Sequence, residues 1–227
     1  MHIGLIGGIG VAATVVYYQR LTAEIARRGG TVELTIAHTP DINVLIRNNL
    51  ADRRVEQAAE YAPLIDRLKA AGCDCAAITS LCGHFCFEET KAISSLPLVS
   101  AVEPLDDYFV AEGVGRVGLL GTRVVMRTRL YGQLARTEAV ALEGEIDTLG
   151  QAYQDMAVAG QCTKAQRDLF LDAGRRMVRD HGAEAIVLAG TDLNLAFDGQ
   201  ATGYRVIDAL DVHVGVLADL ATGARSL

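Results

Sequence analysis

One short pattern occurs twice in this 227-residue sequence. Gly4-Leu5-Ile6-Gly7-Gly8 returns as Gly118-Leu119-Leu120-Gly121-Thr122, displaced by 114 residues, and Ile78-Thr79-Ser80-Leu81 returns as Leu188-Ala189-Gly190-Thr191, displaced by 110. Similar segments at nearly constant separation mark a duplicated structural unit, so two similar lobes are expected. Each segment is an apolar run closed by small or hydroxyl residues, the pattern of a buried strand leading into a turn.

The first half reads βαβαβ. Residues 2–6 are an apolar run closed by Gly7-Gly8-Ile9-Gly10, and Ala12, Val15, Val16, Gln19 and Leu21 then begin a longer pattern. A second strand is expected at 32–37, an amphipathic helix at 51–71 with Val55, Ala59, Ala62, Ile65 and Leu68 at helical spacing, and a third strand at 75–79. After Pro97 come helix signals at 102–112, strands at 116–120 and 140–142, a helix at 163–181 and a strand at 185–188. A final helical pattern at 207–220 is expected to pack back on the first lobe. The resulting division is 1–97 plus 207–227 for one α/β lobe and 98–206 for the other. Only four prolines occur, so no rigid proline linker separates them.

Composition narrows the function. Half the residues are hydrophobic and only 5% aromatic, which suits mainly parallel sheets flanked by helices. Lys plus Arg total 21 against 28 Asp plus Glu, a net charge of -7, and no basic run occurs, which argues against nucleic acid and anionic membranes as partners. No apolar stretch approaches the roughly 18 residues of a spanning helix, and no leader pattern is read at the start, so a cytoplasmic location is expected. The five cysteines are an odd number, and four lie between Cys73 and Cys86, a pattern unlike a disulfide framework. Cys73 and Cys75 lie at the far end of the third strand from Cys82, so no metal site is expected.

The residues that carry chemistry cluster after strands. The Gly8 turn is either a cradle for an anion or a turn that needs positive φ. A dinucleotide fingerprint would place glycines at Gly8, Gly10 and a third position held here by Ala13, but the second strand leads to His38 rather than an acidic residue. Ser80-Leu81-Cys82-Gly83-His84 follows the third strand, and an extended backbone would put Ser80, Cys82 and His84 on one side. Cys82 assisted by His84 would be an acid/base or nucleophile; otherwise Cys82 is a small buried hydrophobe and His84 a helix-start residue. Thr191-Asp192 occupies the equivalent turn in the second half, as substrate ligands or as a helix cap. Arg47 offers a planar fork for a carboxylate or is a solvated loop arginine. His213, in the last helical pattern, reads as packed or surface.

With these residues placed, the sequence resembles the aspartate/glutamate racemase family over nearly its whole length. The family signature Gly-Gly-Met-Gly-Pro-x-Ala-Thr is similar to Gly7-Gly8-Ile9-Gly10-Val11-Ala12-Ala13-Thr14, followed by Tyr17 and Tyr18. Val117-Gly118-Leu119-Leu120-Gly121-Thr122 through Tyr131 and the closing Asp208 to His213 region match further blocks. The resemblance implies two pseudosymmetric α/β lobes with an inter-lobe cleft, no cofactor, an acidic amino acid or other small carboxylate as substrate, and a homodimer. No lysine suggests pyridoxal phosphate, since Lys69, Lys91 and Lys164 fall in helical or surface contexts.

The departures fall on the chemistry. The family exchanges an α-proton between two cysteines, in Cys-Asn-Thr-x-His and Gly-Cys-Thr-Glu. Here Ser80 replaces the first, Leu81 the neighbouring asparagine and Gly190 the second. A serine hydroxyl is a far weaker acid than a thiol, so the two-thiol mechanism is lost at these positions. Three readings follow: an isomerase using Ser80, Cys82, His84 and Asp192 as catalytic candidates, a one-sided decarboxylase, lyase or hydrolase, or an inactive binding homologue. Gly8, Arg47, Thr122, Gly190 and Thr191 are the substrate-binding candidates.

Overall fold

The computed structural model describes all 227 residues. The chain divides into two compact units, Met1–Ala101 with Asp211–Leu227, and Val102–Leu210. In the first, β1 (His2–Gly7), β2 (Glu33–His38), β3 (Cys75–Ile78) and β4 (Leu98–Val99) form a sheet in the order β2-β1-β3-β4. All pairings are parallel, with Ile3 opposite both Leu34 and Cys75. Its helices are α1 (Val11–Arg27), α2 (Ile42–Leu50), α3 (Arg54–Ala70) and α4 (Phe87–Ile93).

The second unit repeats that strand order. After α5 (Leu105–Ala111), strands β5 (Arg116–Gly121), β6 (Glu138–Val140), β7 (Ala185–Ala189) and β8 (Val206–Asp208) form a parallel sheet ordered β6-β5-β7-β8. Its other helices are α6 (Arg123–Arg127), α7 (Ile146–Ala159), α8 (Lys164–His181) and α9 (Asn194–Phe197). Helix α10 (Ala209–Ala221) follows β8 and carries the chain into the residues of the first unit.

Sterics explain the repeated glycine. A Cβ on Gly4 would stand 2.9 Å from Leu68 Cδ1 of α3 and 3.0 Å from the Cys75 carbonyl. On Gly118 it would stand 2.6 Å from Ile186 Cδ1 and 3.1 Å from Met177 Cβ of α8. In each unit, the bare position in the first strand lets a long helix lie close on the sheet. Ile3, Leu5 and Ile6 in β1 and Val117, Leu119 and Leu120 in β5 are fully buried, as parallel strands covered on both faces require.

Several expected boundaries move. The helix expected at 51–71 is α3, which starts at Arg54; the preceding α2 was not expected, and Asp52 in the left-handed region (φ 50°) separates the two. The strand expected at 140–142 lies at Glu138–Val140, and the expected closing helix is preceded by β8. Because β8 pairs with β7, residues 207–210 fall in the second unit. The 163–181 expectation corresponds to α8, with Thr163 capping its start: Thr163 Oγ1 accepts from Gln166 N and Gln166 Oε1 accepts from Thr163 N. No helix is long and apolar enough to cross a membrane.

Candidate active site

In the first unit, the Gly8 turn leaves the end of β1. Gly8 has φ 86°, and a Cβ there would stand 2.6 Å from His38 Cε1, so glycine is needed for both backbone and space. The Gly8 amide donates to Thr14 Oγ1 at 2.9 Å, and Thr14 in turn donates to the Gly10 carbonyl at 3.0 Å. Thr14 Oγ1 also lies 3.4 Å from Thr79 Oγ1, which donates to the Ile6 carbonyl. The Gly8 amide is therefore spent within the turn, which removes it from the set of donors open to an anion.

The segment after β3 is not extended. Cys82–Cys86 forms a 3-10 helix, so the expected alternation of Ser80, Cys82 and His84 is corrected: the chain turns too tightly for period two. Buried His84 donates from Nδ1 to the Ser80 carbonyl (2.7 Å), and its Nε2 accepts the Ala101 amide hydrogen (3.0 Å). These two bonds fix one neutral tautomer. Burial pulls its pKa down to about 4, against the opposing effect of the Ser80 bond. The ring stacks on Phe87, with centroids 5.1 Å apart. Both nitrogens thus serve the loop backbone, and the expected support of Cys82 by His84 is not present. Cys82 is half-buried, and its carbonyl faces Asn49 Nδ2 at 3.4 Å. Ser80 is buried.

A second histidine lies beside the first. His213 of α10 is fully buried, with Nδ1 2.9 Å from Tyr17 Oη, and burial together with nearby His84 brings its pKa down to about 3. Of the two sequence readings of His213, packed is correct. Arg47 stands exposed in the last turn of α2, not in a loop, and near Asp41, whose side chain caps that helix.

In the second unit, Thr122 caps α6, accepting from Val125 N at 3.4 Å. Beyond β7, Thr191, Asp192 and Leu193 form a 3-10 turn in which Thr191 and Asp192 are buried. Tyr153 Oη of α7 donates to Asp192 Oδ2 at 3.2 Å. Gly190 has φ -143° and ψ 118°, which any residue adopts. Its reason is space: a Cβ there would stand 2.4 Å from Tyr153 Cε2 and 2.7 Å from Cζ.

Sequence reasoning missed Tyr153 because α7 was not read as a helix. The signal existed, since Ile146, Leu149, Gly150, Tyr153 and Met156 are buried at helical spacing. Gly150 also brings Arg123 close, where a Cβ would be 2.3 Å from Arg123 Cγ, and Arg123 grips Gln151 and Gln154. No three His, Cys, Asp or Glu side chains converge as metal ligands.

Two parallel α/β units of one strand order, with hydroxyl, thiol and carboxylate groups in the loops after β3 and β7, define a duplicated α/β protein. The Asp/Glu/hydantoin racemase family model matches residues 6–217, and this chain belongs to that family. Its fold is similar to that of a Yersinia pestis protein assigned as an Asp/Glu racemase: TM-score 0.80, 22% identity, 98% of this chain and 100% of that one. An aspartate racemase homologue from Pyrococcus horikoshii OT3 gives 0.75 at 23% identity over 97% and 99% of the two chains. Aspartate racemase of Picrophilus torridus gives 0.74 at 18% over 98% and 95%. At these identities the likeness is one of fold. Mouse adenylyltransferase and sulfurtransferase MOCS3 is 31% identical over 121 residues, 45% of this chain and 26% of its own, so this chain spans about a quarter of that relative.

Proposed function

We propose that this protein is a cofactor-independent carbon-acid enzyme, an isomerase acting at the α-carbon of a small carboxylate, most simply an acidic amino acid. The carrying observation is the family match across residues 6–217. Ionising an α-carbon needs a base to take the proton and an acid to return one. Ser80 and Gly190 stand where the resemblance expects thiols, so the proton-handling groups assigned here are Cys82 in the first unit and Asp192, or a water held by Thr191, in the second. Ser80 and His84 shape the first loop, with His84 acting only through the backbone. Arg47 is the side-chain carboxylate ligand, assisted by Thr122, while the Gly8 turn, its amide spent on Thr14, only shapes the loop after β1. The working state is a cytoplasmic homodimer without pyridoxal phosphate.

The test is exchange of the α-proton of L- and D-aspartate and L- and D-glutamate in deuterated solvent, read by proton NMR and chiral analysis. Cys82→Ala is expected to abolish exchange. Unchanged exchange in that variant removes Cys82 from the chemistry, and dicarboxylate binding without exchange identifies a binding homologue. The ring occupying the side-chain space at Gly190 supports a second reading, a one-sided decarboxylase, lyase or hydrolase. Such an enzyme labels one enantiomer without interconverting the pair.

A further inference from the structure

We infer that Tyr153 is a positioning residue that takes up the side-chain space missing at Gly190 and holds Asp192 in place as the acid/base of the second unit. The inference rests on the role proposed above for Asp192.

Three observations lead to it. Gly190 has an ordinary extended backbone, so conformation does not demand glycine there. What demands it is the Tyr153 ring, which lies so close that even a methyl group would overlap Cε2 and Cζ. The same ring ends in a hydroxyl that donates to Asp192 Oδ2, two residues further along the chain, with both side chains buried. One aromatic residue therefore excludes a side chain at position 190 and fixes the carboxylate beside it.

The helix that carries the ring is itself anchored. Gly150, one helical turn earlier on α7, gives way to Arg123, and the Arg123 guanidinium bonds Gln151 and Gln154 on either side of Tyr153 in sequence. Helix α7 is thus pinned to the start of α6, and Tyr153 has little freedom to withdraw. A hydrogen bond from a phenol favours the charged carboxylate, keeping Asp192 ready to accept a proton. In the reaction, Asp192 takes the α-proton as its O–H bond forms and the C–H pair stays on substrate as an enediolate; the reverse transfer restores the carboxylate. Tyr153 keeps its own proton throughout.

The test uses Tyr153→Phe, which retains the ring and loses the bond. The Asp192 carboxyl titration is followed by carbon-13 NMR, with the resonance assigned by Asp192→Asn. Loss of the bond is expected to raise the Asp192 midpoint by about one pH unit. Exchange should fall at least tenfold in kcat with KM within about twofold, and the acid limb of its pH profile should move up with the titration. An unmoved midpoint overturns the assignment whatever the activity. The ring-filling half is tested by urea unfolding: Gly190→Ala should lower the midpoint in the otherwise unchanged protein and leave it unchanged in a Tyr153→Ala background. Equal losses in both backgrounds overturn it. Absence of exchange in the unaltered protein counts against the functional reading, while titration and unfolding still decide the Tyr153 contact.

Discussion

The rings of His84 and His213 meet edge to face with centroids 6.4 Å apart, both buried in the first unit. Their pKa values of about 4 and about 3 lie below the ordinary 6.5, because burial penalises the charged form of both and, for His213, the nearby His84 lowers it further.

The consequence is sensitivity to mild acid. The unfolded chain binds protons at these histidines near pH 6.5 while the folded chain resists them, so stability is complete above that value and falls as pH drops below it. Each histidine contributes a slope of up to about 1.4 kcal/mol per pH unit until its folded pKa is reached. Urea unfolding at pH 7, 6 and 5 should show a steep loss over this window. Depressed carboxylates such as Glu24, held near 2 by Arg27 and Arg28, act only at lower pH and do not mask it. A flat profile between pH 7 and 5 contradicts the neutral pair.

The Gly8 turn should tolerate no side chain. Gly8→Ala places a methyl group against His38 at positive φ, and about 1–3 kcal/mol of stability should be lost. Thr14→Val, which removes the hydroxyl that takes the Gly8 amide, should cost about 1–2 kcal/mol. Because both changes loosen one turn, the double variant should lose less than the sum of the two, as chemical denaturation can measure.

The duplication was legible in the sequence because a physical need recurs: Gly4 and Gly118 must both be bare for α3 and α8 to approach, and the flanking residues must be apolar on both sheet faces. Strand β4, two residues long, and β8, three long, carry too little pattern to be read. The positions that depart from the racemase pattern, Ser80, Leu81 and Gly190, were also visible. What filled the gap at Gly190 was not, since Tyr153 and Asp192 lie 39 residues apart and only the packing of α7 brings them together. The Cys82 turn was misread for a local reason: Gly83 leaves room for Tyr61, whose hydroxyl would be 2.6 Å from a Cβ there, and the chain tightens instead of extending.

Asp106 should be a stability anchor of the second unit. Its buried carboxylate accepts from the amides of Ala135, Arg136 and Thr137 at 3.2, 3.1 and 3.0 Å, and from Arg136 Nε. Burial pushes its pKa up, but the bonds from the 135–137 segment outweigh it, and the net shift is downward. Its contribution is present above the ordinary carboxylate range and is lost as pH falls through it. Asp106→Ala leaves three amides without their acceptor and should cost about 2–4 kcal/mol at pH 7, measured by thermal or urea unfolding.

Thiol labelling of the folded protein ties stability to function. Burial pushes Cys75 up to about 11 and Cys86 up to about 12, and Cys73 is raised for the same reason, so none of the three offers appreciable thiolate near neutrality. Cys82 and Cys162 are half-buried, and although burial raises the Cys162 thiol as well, its partial exposure leaves it open to reagent where Cys73 is buried. Native alkylation at pH 8 should therefore mark Cys82 and, more slowly for its raised thiol, Cys162, and reach the other three only after unfolding, as peptide mass mapping will read. Cys162 lies between α7 and α8 of the second unit and serves as an internal control. If Cys82 handles the α-proton of an acidic amino acid, saturating aspartate or glutamate should slow its labelling at least fivefold while leaving Cys162 unchanged. Equal slowing at both sites would reflect a general tightening of the fold, and no slowing at Cys82 would move the substrate away from that loop.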